Sequence, residues 1–200
     1  MKGILATCCL CFALHTAPAA IILFDLSPAG TDGAIGISGL NETPPNASTG
    51  SGNEIGDGIS YDTDSNILTL NLAYGASKGF SDLTSDWNGG LHLHSGPIGG
   101  PAGSVVIDLA PIHVSDGLRA GEVSGTRTVD ASLEDDLLGN LLYVNIHSGA
   151  FPGGEIRGQL VVVPEPRHVT FAAGLALFGF LAARHYSQRK PVPGIRSGGQ

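Results

Sequence analysis

Ile67-Leu68-Thr69-Leu70-Asn71-Leu72 places Leu68, Leu70 and Leu72 on one side of an extended chain, and Thr69 and Asn71 on the other. That period of two predicts a half-buried antiparallel strand over 67–74. Short runs rich in Val, Ile, Leu and Thr predict further strands at 34–40, 90–94, 104–109, 121–129, 142–147 and 155–163. Gly, Pro, Asn and Asp punctuate them. Asn41-Glu42-Thr43-Pro44-Pro45 is excluded from a central strand, because proline supplies no ladder donor. Residues 49–58, rich in Gly, Ser and Asn, read as a flexible loop. Only Asp130-Ala131-Ser132-Leu133-Glu134-Asp135-Asp136-Leu137-Leu138 suggests a helix. Its acids come early and its leucines late, so it predicts one or two turns stopped by Gly139. The expectation is an all-β body over 25–163, an antiparallel Greek-key-like β-sandwich.

The two ends have a different pattern. Met1 to Ala20 reads MKGILATCCLCFALHTAPAA, with Lys2, an apolar run and Ala17-Pro18-Ala19. This predicts a secretory signal peptide over 1–19, cleaved near Ala19. All three cysteines, Cys8, Cys9 and Cys11, lie inside it. The exported body would then carry neither a disulfide nor a thiol nucleophile.

At the far end an apolar run of 15 residues, Val169 to Ala183, precedes Arg184, Arg189 and Lys190. With its flanks it predicts one transmembrane helix over 168–184, its basic side in the cytoplasm. Pro164-Glu165-Pro166 stands just before it, and 191–200 is a basic polar tail. The segment 164–190 resembles a PEP-CTERM sorting signal. The resemblance implies export, anchoring in the inner membrane with the β domain on the periplasmic side, and recognition by an exosortase-type enzyme. Removal of the tail would release the domain to the cell surface or beyond. In one respect the chain departs from the pattern: ten residues, PVPGIRSGGQ, follow the basic cluster.

Charge narrows the partners. All 18 acids lie between Asp25 and Glu165, where the only bases are Lys78, Arg119, Arg127 and Arg157, leaving the span at −14. Such a body is not a nucleic-acid binder, which needs clustered Lys and Arg.

Four pieces then line up: Leu40-Asn41-Glu42-Thr43-Pro44-Pro45, Leu91-His92-Leu93-His94-Ser95-Gly96, Leu142-Tyr143-Val144-Asn145-Ile146-His147, and Gly153-Gly154-Glu155-Ile156-Arg157-Gly158-Gln159-Leu160. Together they resemble a CHRD domain, over roughly residues 34–163. The resemblance implies a secreted β module; our expectation for it is a structural or interaction role at the envelope or in the extracellular matrix. The partner would be a polysaccharide or protein. It implies no reaction, and we assign no catalytic residue.

Alternation within these pieces predicts one polar face. His92 and His94 oppose Leu91 and Leu93, Asn145 and His147 oppose Val144 and Ile146, and Glu155, Arg157 and Gln159 oppose Ile156 and Leu160. Phe151-Pro152-Gly153-Gly154 should turn the last strand back, setting Asn145 or His147 across from Glu155 or Arg157. A bond from Arg157 to Glu155 or another acid would brace the patch.

Three readings of this face stay open. Precedence goes to a solvated sheet face carrying a hydrogen-bond network. The sharper alternative is a periplasmic metal site for copper or zinc on His92, His94 and His147. His-x-His with a later His on a β-sandwich resembles copper-zinc superoxide dismutase. The zinc-binding loop and the disulfide have no counterpart, so dismutase activity is not expected. The third reading is a ligand patch using Trp87 and Tyr143 as aromatic surface. Asp57, Asp62 and Asp64 form a weaker candidate, for calcium.

Overall fold

The computed structural model describes residues 20–27, 36–115 and 117–164. The signal peptide, the transmembrane helix, the 191–200 tail and the sorting residues Glu165, Pro166, Arg184, Arg189 and Lys190 lie outside these. Pro164, the last described residue, is exposed. The chain divides into two units at Val163/Pro164, and all the described strands belong to the first. Among the described residues, no helix is long and apolar enough to cross a membrane.

The described strands are antiparallel, and the architecture is all-β and sandwich-like. In order they are β1 Ile21–Ser27, β2 Ile37–Ser38, β3 Ser51–Glu54, β4 Ile59–Asp62, β5 Ile67–Tyr74, β6 Trp87–Ser95, β7 Val105–Asp108, β8 His113–Ser115, β9 Gly121–Thr128, β10 Leu142–Ser148 and β11 Ile156–Val162. One group runs β8-β9-β5 and continues into β4 and β3, which share the other side of β5. A second runs β7-β6-β10-β11 and continues into β1 and β2. Pairs β1–β4 and β2–β3 join the two groups.

Leucine alternation builds the core as expected. Leu68, Leu70 and Leu72 of β5 and Val123 of β9 cluster with Leu91 and Leu93 of β6, Val144 and Ile146 of β10, and Ile156 and Leu160 of β11. Each is fully buried, contributing about 1.5–3 kcal/mol for a side chain of this size. Asp130 caps the expected helical turns by accepting from Ser132 N, and α1, Glu134–Leu138, buries Leu137.

Some expectations fail. Of the strand foreseen at 34–40, only Ile37–Ser38 is extended among the described residues 36–40. The loop foreseen at 49–58 contains β3 and runs into β4. β3 lacks an apolar pattern because backbone pairing, not burial, defines it. Its Gly52 passes so close to Ala73 O and Tyr74 of β5 that a side chain has no room. β1 begins four residues before the expected domain start. Phe24 and Leu26 face the core while Ile21 and Leu23 are about half exposed, so its alternation is blurred by apolar residues on both faces.

Candidate metal centre

Strand register gathers the polar residues. One cross-strand row runs His92, Asn145, Arg157, Ser38, over β6, β10, β11 and β2. A second runs His94, Tyr143, Gln159. Asn145 thus stands opposite Arg157, one of the pairings expected.

The face is not solvated, which corrects the reading given precedence. Asn145, Glu155, Arg157 and Gln159 are at most 1% exposed, and His94 is 6% exposed. The segment 96–103 folds back over His94, Arg157 and Gln159, and its backbone carbonyls do what water was expected to do. Arg157 Nη1 donates to Gly100 O at 3.1 Å and Nη2 to Pro97 O at 3.0 Å, while Gln159 Nε2 donates to Gly96 O at 3.0 Å. Gly103 N donates to Tyr143 Oη at 3.1 Å. Tyr143 is fully buried, so it offers no aromatic surface to a ligand. The Arg157 guanidinium lies 3.5 Å from its ring centroid, and His94 stacks on the ring at 5.2 Å and 14°.

The expected Arg157–Glu155 bond does not form. Glu155 Oε1 accepts from Ser48 Oγ at 2.8 Å, Thr84 N at 2.5 Å and Thr84 Oγ1 at 2.9 Å; its Oε2 accepts from Ser85 Oγ at 2.6 Å. Burial pushes this carboxyl up, but these bonds outweigh it and hold the group below the usual glutamate range. No residue pattern flagged Ser48, Thr84 and Ser85; they come from loops distant in sequence.

His92, His94 and His147 do converge. Their ring centroids form a triangle with sides of 5.8, 5.6 and 5.4 Å. One ligand nitrogen from each lies within 4.8 Å of the others, and among the described residues no other such trio of His, Cys, Asp or Glu occurs. Asp57, Asp62 and Asp64 do not converge; Asp62 instead accepts from Asp64 N and Ser65 N in a turn.

The protons matter most here. His94 Nδ1 lies 3.0 Å from Gly103 O, and His147 Nδ1 lies 3.0 Å from Pro152 O. A ring nitrogen facing a carbonyl must be the N–H donor. In a neutral ring the lone pair is then on Nε2. The two Nε2 atoms face each other at 3.3 Å. Two lone pairs cannot bond to each other; a proton or a cation must come between them. Burial lowers both pKa values, and the charge of neighbouring histidines lowers them further, so a proton there is disfavoured. A tetrahedral ion with bonds of ~2.0–2.1 Å sets its ligand nitrogens roughly 3.3–3.4 Å apart. Where histidines hold a metal, carbonyl bonds of this kind to Nδ1 are the outer contacts that orient the rings. His92 Nδ1 is buried without a hydrogen-bond partner, and the ring is half-buried.

A bulge aims His147. Between Ile146/Leu91 and Ser148/Trp87 the register slips, so His147 alone opposes Asn88, Gly89 and Gly90. A Cβ on Gly90 would lie 2.7 Å from His147 Cβ and 3.1 Å from Cγ. Gly90→Ala should therefore displace the imidazole and cost about 1–3 kcal/mol. The check is the His147 ring resonances by NMR alongside urea unfolding; unchanged resonances would remove Gly90 from the site.

Trp87 is half-buried against Tyr74 and His113, with centroids 6.3 and 5.0 Å away. It lies on β6 rather than in a free turn.

Comparison with known proteins gives a CHRD domain match over residues 34–160. No curated protein and no solved structure matches the chain. The matched span covers more than half of the chain and includes β2 through most of β11, with all three histidines and the roofed polar face, and so the chain belongs to the CHRD domain family.

Proposed function

We propose that this chain is an exported CHRD module that holds a copper or zinc ion on His92, His94 and His147. The observation that carries the reading is the pair of Nε2 lone pairs facing at 3.3 Å with both Nδ1 protons already committed to carbonyls. Neutral imidazoles suit both metals, and three protein ligands leave one coordination position for water or another small ligand. The ion would be held at the envelope, with no catalytic step assigned.

Delivery rests on the two ends of the sequence. A leader over 1–19 would direct export, and the segment 164–190 would anchor the chain in the inner membrane until an exosortase-type enzyme removes it. The module would then act at the cell surface or in the matrix, with a polysaccharide or protein as partner. A second reading, a purely structural or interaction module, is supported by the roof over Arg157 and Gln159, which needs no metal.

The test is metal content by elemental mass spectrometry after loading purified protein with copper and zinc and desalting. The proposal expects close to one ion per chain. His94→Ala and His147→Ala should each weaken retention by more than the roughly 10–100-fold that loss of an outer-shell partner costs. No retained ion in the parent, or equal retention in both variants, would leave the histidines as part of the structural network.

A further inference from the structure

Two buried glutamates in this fold have opposite circumstances. Glu155 is saturated by hydroxyls and an N–H. Glu42 is 8% exposed, yet its Oε1 is buried without a hydrogen-bond partner. Behind it, the Asn145 amide is also unpartnered at both Nδ2 and Oδ1. A side chain on Gly154 would collide with Glu42 Oε1 and with both Asn145 atoms, so no ordinary residue could fill the gap. Arg157 is the positive charge felt from the interior, but its Nη1 and Nη2 are engaged by the Gly100, Pro97 and Gln159 oxygens. A buried carboxylate left this way costs several kcal/mol, about the penalty for any unpaired buried ion.

The other side of Glu42 is open. It lines a pocket of about 280 Å³ whose walls include Pro44, Phe151, Pro152 and Gly154. One acidic group stands there among prolines, an aromatic ring and the polar side chains of Thr43 and Asn46. That combination suits a compact cation on a short hydrocarbon stem: the stem packs on the prolines, and the charge meets Glu42 and the Phe151 ring. A divalent ion would need more oxygens than Glu42 offers. We propose that this pocket is a binding subsite for a primary alkylammonium group, the chemistry of a lysine side chain or a polyamine, with Glu42 as its counter-charge. The inference does not rest on metal binding, although Pro152, one wall of the pocket, also accepts from His147 Nδ1.

Burial raises the Glu42 carboxyl to about 7, with Arg157 opposing, so the group can be followed directly by carbon NMR. The experiment titrates the full chain with n-butylammonium, using n-butanol as the neutral control. Saturable shifts confined to Glu42 and the 150–154 turn are expected, with the Glu42 pKa falling as the amine saturates. Glu42→Gln should weaken binding at least tenfold. Phe151→Ala, a substitution outside the buried row, should weaken it severalfold and serves if the Gln variant fails to fold. An equal response to butanol, no saturable response, or a Glu42 pKa indifferent to the amine would each overturn the proposal.

Discussion

Glu155→Ala is expected to lower the unfolding free energy by roughly 3–5 kcal/mol. The carboxylate ties β11 to two separate loops, through Ser48 on one side and Thr84 and Ser85 on the other. Removing it takes the acceptor from four donors at once, one of them a backbone N–H. Glu155→Gln should cost less, roughly 1–2 kcal/mol, because its carbonyl can keep the Oε1 partners while the Ser85 hydroxyl turns to accept. The two variants separate volume from charge. Because the folded carboxyl sits below its ordinary range, its contribution is present above the unfolded pKa and is lost as pH falls from there through the lower folded pKa. Urea unfolding of the parent should therefore weaken on acidification in a way that Glu155→Gln does not. Equal stability of the parent and Glu155→Ala at neutral pH would show that the two loops are held by other contacts.

Arg157→Met should be nearly as damaging, at about 3 kcal/mol, for a different reason. The guanidinium is the largest of the fully buried side chains, and it links the Tyr143 ring to the carbonyls of Pro97 and Gly100. Methionine keeps much of the bulk but leaves those acceptors without donors in the interior. Arg157→Lys would not rescue the fold, since one ammonium cannot stack on the ring and span two carbonyls together. The roof over 96–103 should loosen, which amide hydrogen exchange at Gly96 and Gly103 would detect as lost protection. The effect should reach His94, because Gly103 O fixes its Nδ1 proton. Retained protection in Arg157→Met would mean that the roof holds itself.

Much of this could be read from residue order. Alternation in Leu68 to Leu72 and in Leu91 to His94 assigned both the strands and the faces, because a period of two needs no knowledge of the partner. The histidine trio was legible for the same reason: His92 and His94 share a parity, and His147 ends the neighbouring hairpin strand. The state of the polar face was not legible. Alternation says that two sides differ; it does not say whether the polar one meets water. Gly96 to Gly103 reads as a Gly- and Pro-rich loop with no period of two, yet its carbonyls cover Arg157. β3 was missed because it is held by backbone pairing to neighbours on both sides, and its residues Ser51-Gly52-Asn53-Glu54 carry no apolar alternation.

The pairing of β1 has a consequence in time. Its residues Ile21 to Phe24 pair with β4, and Phe24 to Ser27 pair with β11, where Phe24 meets Val162. The ladder β1-β4-β5-β3-β2-β11 thereby returns to β1 and closes on itself. A ribosome releases β1 first among these strands and β11 last. Until then the closing seam has one lip and no other. Such high contact order makes for slow closure and a long-lived unpaired edge. The first strand can find β4 early, but its second half, Phe24 to Ser27, is a latch that nothing can fasten until the chain has been made as far as residue 162.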